Sequence, residues 1–170
     1  GLASSIKETG IIQPILVRKT NDFYEIVAGE RRWRAAQIAK IHEVPVLVKE
    51  LTDEEVVKIS IIENIQRVDL NPIEEANSFN QLIRDFGYTQ EKVSASLGKS
   101  RSYVANSLRL LTLSESIITF LKEGKLTSGH ARALVGIKNS EILAKKIIEE
   151  HLSVRDIENI CLLYTSDAAD

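Results

Sequence analysis

The stretch "TQEKVSASLGKSRSYVANSLRLLTL", residues 89–113, decides how the longer part of this chain folds. Thr89 can cap a short helix ending at Leu97, Gly98 makes the turn, and Ser100 can cap a second helix running to about Leu111. Two short helices joined through a glycine are the layout of a helix-turn-helix, with Val93, Leu97, Val104, Leu108 and Leu111 as its expected core. The stretch holds Lys92, Lys99, Arg101 and Arg109 against the single acid Glu91, whereas the 170-residue chain carries a net charge of −2. Any nucleic-acid site must therefore be a local patch, and this segment is one. In this motif the start of the second helix enters the major groove. Ser100, Arg101, Ser102 and Tyr103, with Asn106 a turn further on, are the candidates for that role. Arg101 has the fork that matches guanine and Asn106 the amide that matches adenine. Thr89 with Gln90, Lys99 and Arg109 suit phosphate contacts. The bland reading is two core helices with ordinary surface polarity.

Downstream, helix starts are expected at Ser114, Thr127 or Ser128, Ser140 and Ser153, with Gly124 as a stop. "TSGHARAL" places His130 and Arg132 near one of these starts; a lone histidine there is more often structural than a ligand. The tail "LLYTSDAAD" loses periodicity, so residues 163–170 are expected to be a disordered tail or an expression remnant. Upstream, Asn71 and Pro72 open a helix that Gly87 closes, and Thr52 with Glu55 forms a capping box for a helix reaching about Gln66. "RVDLNP" is the expected boundary, giving domains 1–70 and 71–162.

The first fifty residues read differently. "PILVRK" and "FYEIVA", joined by a polar turn, are β-branched and aromatic strands, and "VPVLVKEL" is a third. Gly29 ends the second strand, and "ERRWRAAQIAKI" follows with helical spacing and Trp33 as an expected core anchor. A small α/β unit results. It places an acid and three arginines, Glu30, Arg31, Arg32 and Arg34, at a strand-to-helix junction. Two readings stand for this cluster. In one the arginines are solvated beside Trp33; in the other a phosphate is bound by the glycine backbone, the free N–H groups of the helix start, and the forks of Arg31 and Arg32. No Walker A pattern occurs, which excludes a P-loop NTPase. Glu63 and Asn64, near a helix end with Arg67 three residues beyond Asn64, are oxygen ligands of the kind Mg²⁺ accepts, or else a solvated helix terminus.

The single cysteine, Cys161, cannot form an internal disulfide and has no partner at metal-binding spacing; His42 and His151 have none either. No apolar stretch approaches membrane-spanning length, and the start lacks a signal-peptide pattern, so a cytosolic protein is expected.

"GIIQPILVRK", "AGERRWRAA", "ENIQRVDLNPIEEA", the helix-turn-helix and "LTSGHARAL" stand in the order and spacing of the ParB family of partition proteins, which the chain resembles over about residues 6–160. The resemblance implies an α+β architecture, a small α/β ParB/sulfiredoxin-like domain followed by an all-α helix-turn-helix domain. It implies a CTP-dependent DNA clamp that binds the palindromic parS duplex, closes as a homodimer around DNA, and reopens on slow CTP hydrolysis. By motif, Gly10, Ile11, Gln13 and Pro14 would lie along the cytosine and Gly29, Glu30, Arg31 and Arg32 would cradle the phosphates. Glu63 and Asn64 would hold Mg²⁺ with Arg67 nearby, and Glu30 or Asn64 would assist hydrolysis. His130 and Arg132 would flank the DNA. The family also implies a cytoplasmic, nucleoid-associated location and a ParA-type ATPase partner reached through a segment outside this sequence, as is the family's C-terminal dimerisation domain. A sulfiredoxin activity would need a reactive cysteine beside the arginines, where Gly29 and Glu30 stand. The remaining alternatives are a nucleoid-occlusion-type protein, or a transcription-regulating parS-like adaptor without significant hydrolysis.

Overall fold

The computed structural model describes residues 1–166, the side chains of Leu2 and residues 162–166 excepted. It divides into two compact units, Gly1–Asn64 and the chain from Ile65 onward. The sequence reading drew this line at residue 70; the contacts change six residues earlier, at the last turn of a helix.

The first unit opens with α1 (Leu2–Thr9), which the sequence reading did not anticipate; it packs on α2 and buries Ile6. Strands β1 (Ile15–Lys19) and β2 (Tyr24–Ala28) pair antiparallel, and β3 (Val46–Lys49) lies parallel to β1 on its other side. The hairpin is closed at Thr20, whose N–H and hydroxyl both donate to the Phe23 carbonyl, at 2.9 and 2.8 Å. Between β2 and β3 runs α2 (Glu30–Ile38). Ile15 and Val17 of β1, Val27 of β2 and Ala35 and Ala36 of α2 are buried. Two alanines let α2 sit close to its neighbours, and this leaves Trp33 at the margin. Trp33 is 37% exposed and is not the core anchor expected of it.

Helix α3 (Asp53–Ile65) starts with the expected capping box: the Thr52 N–H donates to Glu55 Oε2 at 2.8 Å and the Glu55 N–H to Thr52 Oγ1 at 3.2 Å. The Thr52 N–H and the Thr52 hydroxyl, which donates to the same Oε2 at 3.1 Å, hold the Glu55 carboxyl below its ordinary pKa. Arg18 of β1 ties this region together. Its Nε donates to Glu25 Oε2 at 2.6 Å, and its Nη1 lies 2.7 Å from Asp53 Oδ1 and 3.3 Å from the Leu51 carbonyl. The two carboxylates raise the Arg18 pKa further.

The second unit is all helical: α4 (Pro72–Phe86), α5 (Gln90–Leu97), α6 (Arg101–Leu110), α7 (Glu115–Lys122), α8 (Ser128–Leu134), α9 (Ser140–Glu150) and α10 (Val154–Ser166). Side chains punctuate most of these helices. Asn71 accepts from the N–H groups of Ile73 and Glu74, and Thr89, Ser100 and Thr127 accept from Lys92, Tyr103 and His130. Gly87 and Gly98 close α4 and α5 in the left-handed conformation. Helix α9 starts from Asn139 at φ 60°, one residue before the expected Ser140. Helix α10 continues through Ser166, so residues 163–166 are helical rather than tail; residues 167–170 lie outside the described residues.

One apolar cluster fills this unit, from Ile73 of α4 through Leu110, Ile117, Leu134 and Ile147 to Ile157 of α10. Within the helix-turn-helix Val93 and Val104 are fully buried as expected, but Leu97, Leu108 and Leu111 are half-buried and Leu110 takes the deep position. Ser94 and Ser107 are buried polar residues that satisfy themselves, donating to the carbonyls of Glu91 and Tyr103.

Candidate nucleotide pocket and nucleic-acid interface

In the first unit Gly29 is the pivot of the candidate anion site. It is the N-cap of α2 at φ 100°, ψ 22°, a conformation that L side chains rarely adopt. Its N–H donates to Glu63 Oε1 at 3.4 Å, so an anionic oxygen from the last turns of α3 already faces the start of α2. Arg32, in the first turn of α2, sends Nη1 to the carbonyls of Gln13 and Pro14 at 2.8 and 2.9 Å. The segment 10–14, the second arginine and the end of α3 therefore meet around one glycine. Arg31 is exposed and makes no hydrogen bond or ion pair among the described residues. Glu30 pairs with Arg34 at 2.5 Å, four residues on along the helix. Gly10, at φ 73°, turns the chain out of α1 toward Ile11.

Asn64 is exposed beside Glu63. Among the described residues no cluster of three His, Cys, Asp or Glu side chains has the geometry of a metal cage. A lone carboxylate with an adjacent amide instead fits a Mg²⁺ that keeps waters and takes its remaining ligands from phosphate oxygens. Arg67 belongs to the second unit and holds Asp69 by two bonds, Nε to Oδ1 at 3.2 Å and Nη2 to Oδ2 at 3.1 Å.

The second unit carries the candidate DNA-reading element. Arg101, first residue of α6, is exposed and its Nε lies 3.0 Å from Glu91 Oε1 of α5. An exposed pair of this kind is worth about 0–1 kcal/mol, small enough for a base edge to displace it. Ser102, Asn106 and Arg109 follow at i, i+4 and i+7 and share one side of α6, with Asn106 half-buried and the other two exposed.

Tyr103 makes contacts that its neighbours on α6 do not. Its hydroxyl donates to Glu75 Oε2 of α4 at 2.7 Å, and its ring meets Phe79 edge-on with centroids 6.5 Å apart. Burial of the ring, reinforced by the Glu75 bond, pushes its pKa up to about 12. Tyr103 thus fastens α6 to α4. The Lys99 ammonium sits 5.0 Å above the same ring, and Lys92 lies 4.2 Å from the Tyr88 ring. Thr89 is the cap of α5, and Gln90 is half-buried in its first turn.

His130 completes a capping box at the start of α8. Its N–H donates to Thr127 Oγ1 at 3.2 Å, while its Nδ1 accepts from the Thr127 N–H at 3.4 Å. This leaves Nε2 as the ring's outward donor. Arg132 is exposed two residues later. The sequence shows Glu91 as a lone acid but not as the partner of Arg101, and it gives no sign of Glu75 as the partner of Tyr103. Tyr103 lies 28 residues from Glu75, beyond the reach of any periodicity.

Comparison with known proteins converges on one family. The ParB N-terminal domain model matches residues 1–65 and the ParB HTH domain model residues 68–164. The chain is 49% identical over 162 residues to the chromosome-partitioning protein ParB of Myxococcus xanthus, covering 94% of this chain and 55% of that protein. It is 52% identical over 160 residues to the ParB of Caulobacter vibrioides, covering 92% and 53%. It therefore spans about half the length of these curated relatives. A crystal structure of C-terminally truncated Caulobacter crescentus ParB complexed to the centromeric parS site superposes with a TM-score of 0.87 at 49% identity, over 94% of this chain and 86% of that one. A ParB DNA-binding domain complexed to parS matches at a TM-score of 0.58 and 49% identity, over 62% and 88%. With both family models matched in order and relatives near half identical across nearly its whole length, this chain belongs to the ParB family of chromosome-partitioning proteins.

Proposed function

We propose that this chain is the nucleotide- and DNA-binding part of a chromosome- or plasmid-segregation protein, a clamp loaded at a parS palindrome and governed by CTP. The observation that carries the DNA half is the helix-turn-helix whose second helix opens with exposed Arg101 and Ser102, in a chain superposing at a TM-score of 0.87 on a parS-bound relative. Arg101 and Asn106 read base edges, while Thr89, Gln90, Lys99, Ser100, Ser102, Arg109, His130 through Nε2, and Arg132 line the duplex. Tyr103 holds the reading helix in place.

The nucleotide half rests on the convergence around Gly29. Phosphate oxygens take the Gly29 N–H from Glu63 and meet Arg31, the 10–14 segment lies along the base, and Glu63, so released, holds Mg²⁺ with Asn64. Bound Mg²⁺ supplies charge neutralisation on the phosphates. Hydrolysis then needs positioning only, and Glu30 and Asn64 are the polar groups near the phosphate end that can orient water. Closure of two copies around DNA makes the clamp, ParA-type ATPase contact belongs to the longer protein, and the working location is the nucleoid.

The test is equilibrium binding of CTP against ATP, GTP and UTP, with Mg²⁺, with and without a parS duplex. Selective CTP binding supports the clamp. Binding of parS with no nucleotide bound at all would reduce the protein to a helix-turn-helix adaptor.

A further inference from the structure

The strongest unassigned geometry lies in the first unit, where one arginine joins two pieces of backbone that the sequence separates. Arg32 does not point away from α2 as a free fork. Both of its bonds come from one nitrogen, Nη1, to the Gln13 and Pro14 carbonyls at 2.8 and 2.9 Å. To reach them the guanidinium crosses over Gly29. A Cβ built on Gly29 would lie 3.2 Å from Nη2, 3.3 Å from Cζ and 3.4 Å from Nε, so the plane of the group rests on the glycine. Gly29 thus serves twice, once through its φ of 100° and once by having no side chain to obstruct the crossing. Just beyond Pro14 the Ile15 N–H donates to the Pro45 carbonyl at 3.0 Å, which anchors the end of the segment to the sheet. Gly10 at φ 73° turns its other end. Between these two points, residues 11–14 carry no regular structure, and Arg32 is the side chain that holds their carbonyls.

We propose that Arg32 is a positioning residue that sets base selectivity: by fixing the Gln13 and Pro14 carbonyls it shapes the segment that meets the nucleobase, rather than acting only as a phosphate ligand. The inference rests on the nucleotide reading given above. Its chemistry is specific. A cytosine offers an exocyclic amine where a uracil offers a carbonyl, so discrimination depends on backbone acceptors held at fixed direction. A segment released from Arg32 keeps its acceptors but loses their aim, and it then accepts either base. A guanidinium can hold two carbonyls from one edge while a second edge faces phosphate; a lysine ammonium keeps the charge without that planar shape.

The experiment compares wild type, Arg32→Lys and Arg32→Ala for binding of CTP, UTP and inorganic tripolyphosphate with Mg²⁺, each variant checked by thermal melting. For Arg32→Lys the expected result is a fall of about tenfold or more in CTP-over-UTP preference, with a smaller change in tripolyphosphate affinity. A second readout needs no nucleotide: the Pro14 carbonyl ¹³C resonance, correlated through the Ile15 amide in the free protein, should shift in both variants. Equal loss for CTP and tripolyphosphate with the CTP preference intact, or an unmoved Pro14 carbonyl, would overturn the inference and leave Arg32 a phosphate ligand alone. Wild type that binds no CTP would instead overturn the nucleotide reading and this inference with it.

Discussion

Replacing Tyr103 by Phe removes one oxygen and tests whether the reading helix is aimed by its attachment to α4. The lost bond is the 2.7 Å donation to the Glu75 carboxylate. A hydrogen bond to a charged acceptor contributes about 1.5–3 kcal/mol when shielded, but Tyr103 is 40% exposed and water can replace the hydroxyl at Glu75. The net loss should be about 1 kcal/mol, since the Phe79 contact survives in the variant. The pH dependence has a definite sign. The folded-state pKa, near 12, exceeds the ordinary value of 10, so the hydroxyl's contribution is complete below pH 10 and is lost as pH rises from 10 through 12. A two-unit shift corresponds to about 2.7 kcal/mol, which exposure and screening reduce to about 1 kcal/mol. Urea unfolding of both proteins from pH 8 to 12 measures it: the wild-type advantage should be level to pH 10 and vanish near pH 12. Affinity for parS at pH 8 should change less than threefold, or about 0.6 kcal/mol. A stability difference independent of pH, or a tenfold loss of parS affinity in a variant of normal stability, would refute the tether and return Tyr103 to the groove.

Arg101→Ala should weaken parS binding by about 1–3 kcal/mol and leave random DNA nearly unchanged; equal losses on both would make Arg101 a phosphate contact. Gly129→Ala should cost about 1 kcal/mol, because its Cβ would sit 3.1 Å from Val154 Cγ2. Adding Val154→Ala should erase the penalty of the Gly129 substitution in thermal melts, and a penalty that persists would place the strain elsewhere. Glu63→Gln should flatten the dependence of CTP affinity on Mg²⁺ in titration calorimetry, with an unchanged Mg²⁺ response arguing against a metal ligand.

The helical unit was legible because its signals are local. Asn71, Thr89, Ser100 and Thr127 cap the next turn of backbone with their own side chains, and Gly87 and Gly98 end helices by adopting positive φ. The three strands were legible from β-branched runs for the same reason. Trp33 was misjudged because burial on α2 is decided by which face meets the sheet, and Ala35 and Ala36 take that face. Helix α1 was missed because "LASSIKET" has few apolar residues and a glycine before it with no side chain to cap it. In the candidate pocket the residue types were legible but their partners were not. That Arg32 reaches Gln13 and Pro14, and that Glu63 faces Gly29, depends on the sheet bringing distant segments together.

The parallel pairing of β1 with β3 sets Ile15 beside Val46, so the sheet closes only over a long loop that holds the hairpin and α2. The helices of the second unit instead begin at their own caps, and α5 packs on α6 across one turn, although α4 also meets α6 and α8 meets α10 over longer stretches of chain. Helix formation in the second unit should therefore precede closure of the sheet in the first. The unit synthesised later forms its helices in micro- to milliseconds, while the sheet of the unit synthesised earlier waits on a long loop closure. Stopped-flow refolding should show a fast helical phase preceding the slower recovery of the sheet, and a single phase shared by both would mean that the two units fold as one.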